Sequence, residues 1–196
     1  MHKALFCIHT LIRPTMLIPN FRVNSINHIH YEAFKQRGLK LIIYDLDNTL
    51  CFTNIYSPYP YIQPAFEASK KLFDILLLSN SVGLQNDSAF KLRGRELVLN
   101  YFKAKLCIHS AKKPFCGQEI LQNYRYKPSE IMVVGDRLMT DILLANYNDF
   151  VSVYVEPIDD RENISIYLMR MIEGFIYKIL GYRAPWKGKE QYQNIE

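Results

Sequence analysis

Two short apolar runs in this chain are each followed by carboxylate side chains. Residues 41–44 precede Asp45 and Asp47, and residues 131–134 precede Asp136. Such runs have the length of a strand, and their continuous apolar character is typical of strands buried on both faces of a parallel sheet. Open parallel sheets hold ligands at the carboxyl ends of their strands. The sequence therefore predicts a sheet with an acidic site at one edge.

The same strand-length pattern recurs through the body of the chain. Apolar runs lie at residues 41–44, 75–78, 106–108, 131–134 and 151–155. The segments between the runs are long enough for crossover helices. We expect these helices at residues 61–73, near 91–102, at 116–124 and at 139–146. Alternating strands and helices predict an α/β fold with a mainly parallel, five-stranded central sheet.

Length favours one domain with appended ends. A chain of 196 residues that is 49% hydrophobic suits a single sizeable core. We expect a basic N-terminal segment over residues 1–38, an α/β domain over 39–182 and a basic tail over 183–196.

The N-terminal segment concentrates the positive charge of the chain. Residues 1–40 contain six lysines and arginines and one glutamate, and so carry the entire net charge of +5. A segment of this kind suits an organelle presequence, a surface that meets anionic lipid headgroups, or a solvated arm. No apolar run reaches the ~18 residues of a membrane span, so we expect any membrane contact to be peripheral.

The last long segment of the domain carries a broader apolar pattern. Residues 163–180 form an apolar stripe at helical spacing, and Gly181 suits the end of that helix. A stripe of this kind is typical of a helix that covers a core, which we favour over a helix that lies on a membrane surface.

Asp45 and Asp47 have the chemistry for a two-step phosphoryl transfer. A carboxylate attacks phosphorus once the charge of the phosphate is neutralised, and the product is an aspartyl-phosphate. We expect Asp45 to be the nucleophile because it follows the strand directly. Asp47 lies on the turn beyond, where it can protonate the leaving oxygen and then deprotonate the water that hydrolyses the intermediate.

Oxygen ligands and a phosphate substrate favour Mg²⁺ over a softer metal. Asp45, Asp47 and Asp136 are the expected ligands. Asp141 is expected to support them, either by holding a metal-bound water or by orienting its neighbours.

Groups that suit phosphate binding follow two other apolar runs. Ser79 and Asn80 offer a hydroxyl and backbone amides, and Lys113 can balance the charge of the nucleophile and of the phosphate. Thr49 can fix the turn beside the phosphate. Each motif alone is more often a solvated turn, a helix cap or an exposed basic loop. Their shared order, each after an apolar run, favours a single site.

That order resembles the haloacid dehalogenase superfamily of phosphotransferases. The residues that match its motifs are, in chain order, Asp45, Asp47, Ser79, Lys113, Asp136 and Asp141. The resemblance implies a Rossmann-like three-layer sandwich and magnesium dependence. Intervals of 34 residues separate Asp45 from Ser79 and Ser79 from Lys113, which leaves no room for a large cap domain. An open site suits a large substrate, such as a lipid headgroup at a surface or another macromolecule.

Three longer runs are similar to the mitochondrial phosphatidylglycerophosphate phosphatases and their bacterial relatives. They are residues 45–50, 109–114 and 135–142. This resemblance implies hydrolysis of phosphatidylglycerophosphate to phosphatidylglycerol, a step toward cardiolipin. It also implies peripheral contact with the matrix side of the mitochondrial inner membrane, with a cytoplasmic location as the alternative. Phe115 departs from the glycine expected after the lysine and proline motif.

Two other functions stay open at this point. One is a phosphatase for a phosphoprotein or a soluble phosphoester, and the other is a catalytically silent module that binds anionic lipid or RNA. We favour the enzyme, with a phospholipid as its partner and no nucleic acid, because the acid set is complete.

Overall fold

The computed structural model describes residues 13–159 together with Met171 and Lys178. Its strands are β1 (Phe21–Val23), β2 (Leu41–Tyr44), β3 (Asp74–Leu77), β4 (Lys105–Leu106), β5 (Ile131–Gly135) and β6 (Val151–Val155). Its α-helices span Tyr31–Gln36, Gln63–Leu72, Ala89–Phe102, Gly117–Asn123 and Leu143–Tyr147. Short 3-10 turns cover Pro14–Leu17, Ile26–His28, Pro60–Ile62 and Pro128–Glu130, and a π-helical turn covers Leu138–Ile142. The predicted helix at 163–180 and the predicted tail at 183–196 lie outside the described residues.

All strands of the sheet are parallel, in the order β1-β6-β5-β2-β3-β4. The chain passes from β2 to β3 and β4 on one side, and it later adds β5 and β6 on the other. The strand order therefore reverses between β2 and β5, which is the place where open α/β sheets bind ligands. Tyr44 pairs with both Leu77 and Val134, so the residues that follow these three strands emerge at one level.

Helices on both faces of the sheet complete a three-layer sandwich. Successive residues of β2 point to opposite faces, as in any strand. Tyr44 packs in one core cluster with Phe66 and Phe102, and Ile43 packs in a different cluster with Ile120. The predicted Rossmann-like α/β class is therefore confirmed.

The crossovers beside the site are short. The connections from β2 to β3 and from β3 to β4 each contain one α-helix and a loop, which confirms the absence of a large cap at these two positions. Across the described ranges, no helix combines the length and the apolar character needed to cross a bilayer.

The sheet has one strand more than predicted. β1 is three residues long, is buried only at Phe21, and pairs with β6 at the edge of the sheet. It was missed because a short edge strand lacks a continuous apolar run. Ile26 and Phe34, which follow it, are buried in the same core. The described part of the segment 1–38 thus packs with the sheet, while the expected domain bounds stay a prediction.

Replacing Phe21 with alanine tests whether β1 stabilises this domain. We expect urea denaturation to show that Phe21→Ala lowers the free energy of unfolding by about 3 kcal/mol, because removal of the buried ring leaves a cavity. The matched control is Phe90→Ala, since Phe90 is 74% exposed and its loss should change stability by at most about 0.5 kcal/mol. Equal unfolding midpoints for the two variants would contradict the assignment of β1 to the core.

Candidate active site

Three buried carboxylates meet at the point where the strand order reverses. Asp45 follows β2, Asp136 follows β5, and Asp141 lies in the π-helical turn beyond. One carboxylate oxygen from each residue lies within 4.8 Å of the others. We call these three residues the acid triad. The Thr49 hydroxyl donates to Oδ1 of Asp136 at 3.3 Å, so Thr49 orients a triad member.

Lys113 lies among these carboxylates. Its Nζ is 2.7 Å from Oδ1 of Asp45 and 2.6 Å from Oδ1 of Asp141, and the side chain is buried. Burial alone would lower the pKa of Lys113, but Asp141 and Asp45 raise that pKa above its ordinary value. The lysine therefore stays charged beside the expected nucleophile.

The triad holds three carboxyl groups, and Lys113 can balance the charge of only one of them. Burial raises the pKa of the Asp45 carboxyl well above its usual range, repulsion from Asp141 and Asp136 adds to the effect, and attraction to Lys113 opposes it. If all three carboxylates ionised, as metal ligands must, one ammonium group would leave two negative charges. A divalent cation would balance them, and carboxylate oxygens are ligands that hard cations prefer. The donor set thus fits a hard divalent metal ion.

The close approach of Asp141 requires the glycine at the end of β5. A Cβ atom at Gly135 would lie 2.3 Å from Cγ of Asp141, closer than any nonbonded contact allows. Oδ2 of Asp141 accepts from the backbone N–H of Arg137 and from the Thr140 hydroxyl, both at 3.2 Å. The Gly135-Asp136 motif was recognised in the sequence, but the packing role of its glycine was not.

The Asp47 carboxylate is held by other groups. Its Oδ2 accepts from the hydroxyl of Ser79 at 3.2 Å and from the hydroxyl of Ser81, and its Oδ1 accepts from the backbone N–H of Asn54 at 3.1 Å. Asp47 is not part of the acid triad, so its expected role as a metal ligand stays a prediction. Ser81 was missed by sequence reasoning, although a second hydroxyl two residues after Ser79 was the available signal.

Two polar side chains tie the loops after β3 and β4 together. Oδ1 of Asn80 accepts from the backbone N–H of Lys113 at 2.7 Å, and its Nδ2 donates to the Lys113 carbonyl at 3.4 Å. The ring of His109 lies 2.7 Å from the carbonyl of Ala111 and 3.0 Å from the carbonyl of Ser79. The side chain of Asn80 thus fixes the backbone that carries Lys113, and the expected contact of the Asn80 backbone amide with phosphate stays a prediction.

This fold and this site define a class. A Rossmann-like sheet that brings a strand-end aspartate, a second aspartate two residues on, a serine, a lysine and a closing acidic pair to one edge is of the haloacid dehalogenase type. Residues 2–158 match the family described as mitochondrial PGP phosphatase. The chain belongs to this family, which confirms the resemblance found in the sequence.

Named relatives are found in plants, algae and yeast. A phosphatidylglycerophosphate phosphatase 1 of Arabidopsis thaliana, named chloroplastic/mitochondrial, is 32% identical over 74% of this chain and 42% of its own length. A chloroplastic phosphatidylglycerophosphate phosphatase 1 of Chlamydomonas reinhardtii is 30% identical over 82% of this chain and 61% of its own. The mitochondrial phosphatidylglycerophosphatase of Saccharomyces cerevisiae is 29% identical over 88% and 91%. The chain therefore spans less than two thirds of the first two relatives and most of the yeast protein.

Proposed function

We propose that this chain is a magnesium-dependent phosphatase that hydrolyses phosphatidylglycerophosphate to phosphatidylglycerol and phosphate, a step toward cardiolipin. The observation that carries the proposal is the Lys113 ammonium group 2.7 Å from Asp45 within the acid triad. That geometry neutralises a buried nucleophile and leaves charge for a divalent cation. The proposed substrate is taken from the names of the relatives, two of which are called phosphatidylglycerophosphate phosphatase 1.

In the first step, an Asp45 oxygen attacks the phosphorus of the terminal phosphate monoester. The bond between phosphorus and the glycerol oxygen breaks, and Asp47 in its acid form gives its proton to that oxygen. Phosphatidylglycerol leaves, and the phosphoryl group stays on Asp45. Lys113 lies beside Asp45 and so opposes the negative charge of the phosphoryl group as the bond forms.

In the second step, Asp47 removes a proton from a water molecule as the water attacks phosphorus. The bond from phosphorus to Asp45 breaks, inorganic phosphate leaves, and the Asp45 carboxylate is restored. Asp47 has regained its proton for the next substrate. The hydroxyl and loop amides at Ser79 and Asn80, together with Thr49, are the proposed phosphate-binding groups, since they follow strand ends at the level of the triad.

The triad carboxylates Asp45 and Asp136 are the proposed magnesium ligands, with Asp141 in support and Asp47 as a further candidate. Bound magnesium would supply positive charge against the phosphoryl oxygens. The fit of the site rests on three buried carboxylates with one lysine to balance them.

We also propose that the protein acts at the matrix side of the mitochondrial inner membrane, in peripheral contact with the bilayer. The family description and the name of the yeast relative both refer to mitochondria. The crossovers beside the site hold no cap domain, so a headgroup at a bilayer surface can reach the strand ends.

Phosphate release from defined substrates tests the proposed reaction. We expect purified protein to release phosphate from phosphatidylglycerophosphate in mixed micelles only with magnesium, and to prefer this lipid over soluble phosphoesters and phosphopeptides. Asp45→Asn should lower the rate at least about a thousandfold, because the nucleophile is lost. Turnover of soluble esters or phosphopeptides alone would contradict the lipid substrate, and no turnover of any substrate would favour the silent binding module.

Magnesium binding has a readout that does not depend on activity. We expect magnesium in about tenfold excess over its Kd to raise the thermal unfolding midpoint by roughly 3–6 °C, because it balances the charge of the triad. Asp136→Asn should abolish most of this shift. The control is Asp149→Asn, an exposed acid just before β6 at the opposite edge of the sheet, which should keep the full shift. Equal shifts in both variants would exclude the triad as the metal site.

A further inference from the structure

Three large apolar side chains are exposed at the edge of the sheet that holds the acid triad. Ile55 is 53% exposed, Phe90 is 74% exposed and Ile108 is 42% exposed. They lie in the connections that follow β2, β3 and β4, respectively. We call these three residues the apolar rim. Single exposed apolar residues are normal, so the position of the rim beside the site carries the argument.

Two rim residues adjoin groups that build the site. Ile55 follows Asn54, whose backbone N–H donates to Asp47 at 3.1 Å. Ile108 precedes His109, whose buried ring ties the loops after β3 and β4 together. Ile55 and Ile108 are therefore each adjacent in sequence to a residue that helps to build the site.

Phe90 is placed by the helix that it begins. The helix Ala89–Phe102 starts at the carboxyl edge of the sheet, because it follows a parallel strand. Its second turn packs closely on the site loops, since a Cβ atom at Gly94 would lie 2.8 Å from the Tyr56 ring and 3.1 Å from Val82. Val82 is the neighbour of Ser81, which bonds to Asp47. Phe90 lies one turn closer to the open edge.

The charges around the rim are positive. Arg93 and Lys112 are the exposed charged residues of the ranges 45–62, 78–93 and 107–116, which are the parts of the three connections closest to the strand ends. The carboxylates of these ranges belong to the site or are buried, while the exposed Glu67 and Glu96 lie further along the helices. Asp45 and Asp47 belong to the site. The Asp87 side chain is only 1% exposed and accepts a hydrogen bond from Arg95. An apolar rim with exposed basic groups is thus complementary to a surface that is apolar beneath a negatively charged layer.

We propose that the apolar rim, with Arg93 and Lys112, is the surface that docks the site on an anionic lipid bilayer. The inference rests on the proposed function and adds the face of the protein that meets the lipid. Apolar side chains enter the boundary between headgroups and acyl chains, and basic side chains pair with lipid phosphates. A second copy of the chain would bring like charges together at this rim, which disfavours self-association here.

Docking through the rim directs the open end of the site at the headgroup layer. A phosphate monoester on a lipid can then reach Asp45 while its acyl chains stay in the bilayer. The rim therefore explains how a site without a cap selects a substrate that is presented by a membrane.

Vesicle sedimentation tests the docking surface without turnover, because every variant is made in the full chain that carries Asp45→Asn. The probes are phosphatidylcholine vesicles with and without phosphatidylglycerol. We expect Ile55→Ser with Phe90→Ser to weaken binding to the anionic vesicles by about tenfold or more, and Arg93→Gln or Lys112→Gln to weaken it about fivefold each. The matched control is Leu99→Ser, since Leu99 is 45% exposed on the same helix but nearer its other end, and it should bind normally.

Unchanged affinity in the rim variants, equal loss in the Leu99→Ser control, or equal binding to both kinds of vesicle would overturn the docking surface.

Kinetics with Asp45 intact separate this inference from the proposed function. The rim variants should keep their rate on a soluble phosphoester. They should be slower on phosphatidylglycerophosphate in vesicles, and this loss should be seen as a higher KM. If the wild type hydrolyses the lipid and the rim variants match it on vesicles, the phosphatase stands and the docking surface fails. If no variant hydrolyses the lipid but binding depends on the rim, the docking surface stands and the substrate fails.

Discussion

Repulsion among three buried carboxylates is the constraint on which the rest of the site depends. Oxygens of Asp45, Asp136 and Asp141 lie within 4.8 Å of one another in a buried position, where like charges repel strongly. The chain opposes this cost with Lys113, which bonds to two of the three carboxylates. Asn80 in turn holds the backbone of Lys113. The remaining negative charge is what makes the site suited to a divalent cation and, with it, to a phosphate.

The parallel sheet supplies the rigid frame for this cluster, and the sequence predicted most of it. Strands β2 and β6 were predicted with the bounds that the structure has, because continuous apolar runs mark strands buried on both faces. β1 was not predicted, because it is a three-residue edge strand in which only Phe21 is buried. The helix expected at residues 139–146 is instead a π-helical turn followed by Leu143–Tyr147. That turn carries Asp141, whose side chain lies against Gly135.

In the candidate site too, the sequence predicted which residues meet but not how the loop side chains contact one another. Strand ends and parallel pairing put Asp45, Asp136 and Lys113 at one edge, so their convergence follows from order and spacing. The directions of loop side chains do not follow from spacing. The contact of the Asn80 side chain with the Lys113 backbone and the contact of Ser81 with Asp47 were therefore seen only in the structure.

Chemistry and access to substrate meet at this one edge. The acid triad and Lys113 suit transfer of a phosphoryl group to Asp45, while the apolar rim faces the side from which a lipid headgroup would come. The measurement that tests the central claim most directly is to quench the enzyme during turnover of phosphatidylglycerophosphate, reduce it with borohydride and sequence its peptides by mass spectrometry. The account predicts that the side chain at position 45 is reduced to the alcohol, as an acyl phosphate requires. Full turnover with an unmodified Asp45 peptide, or reduction at another carboxylate, would contradict it.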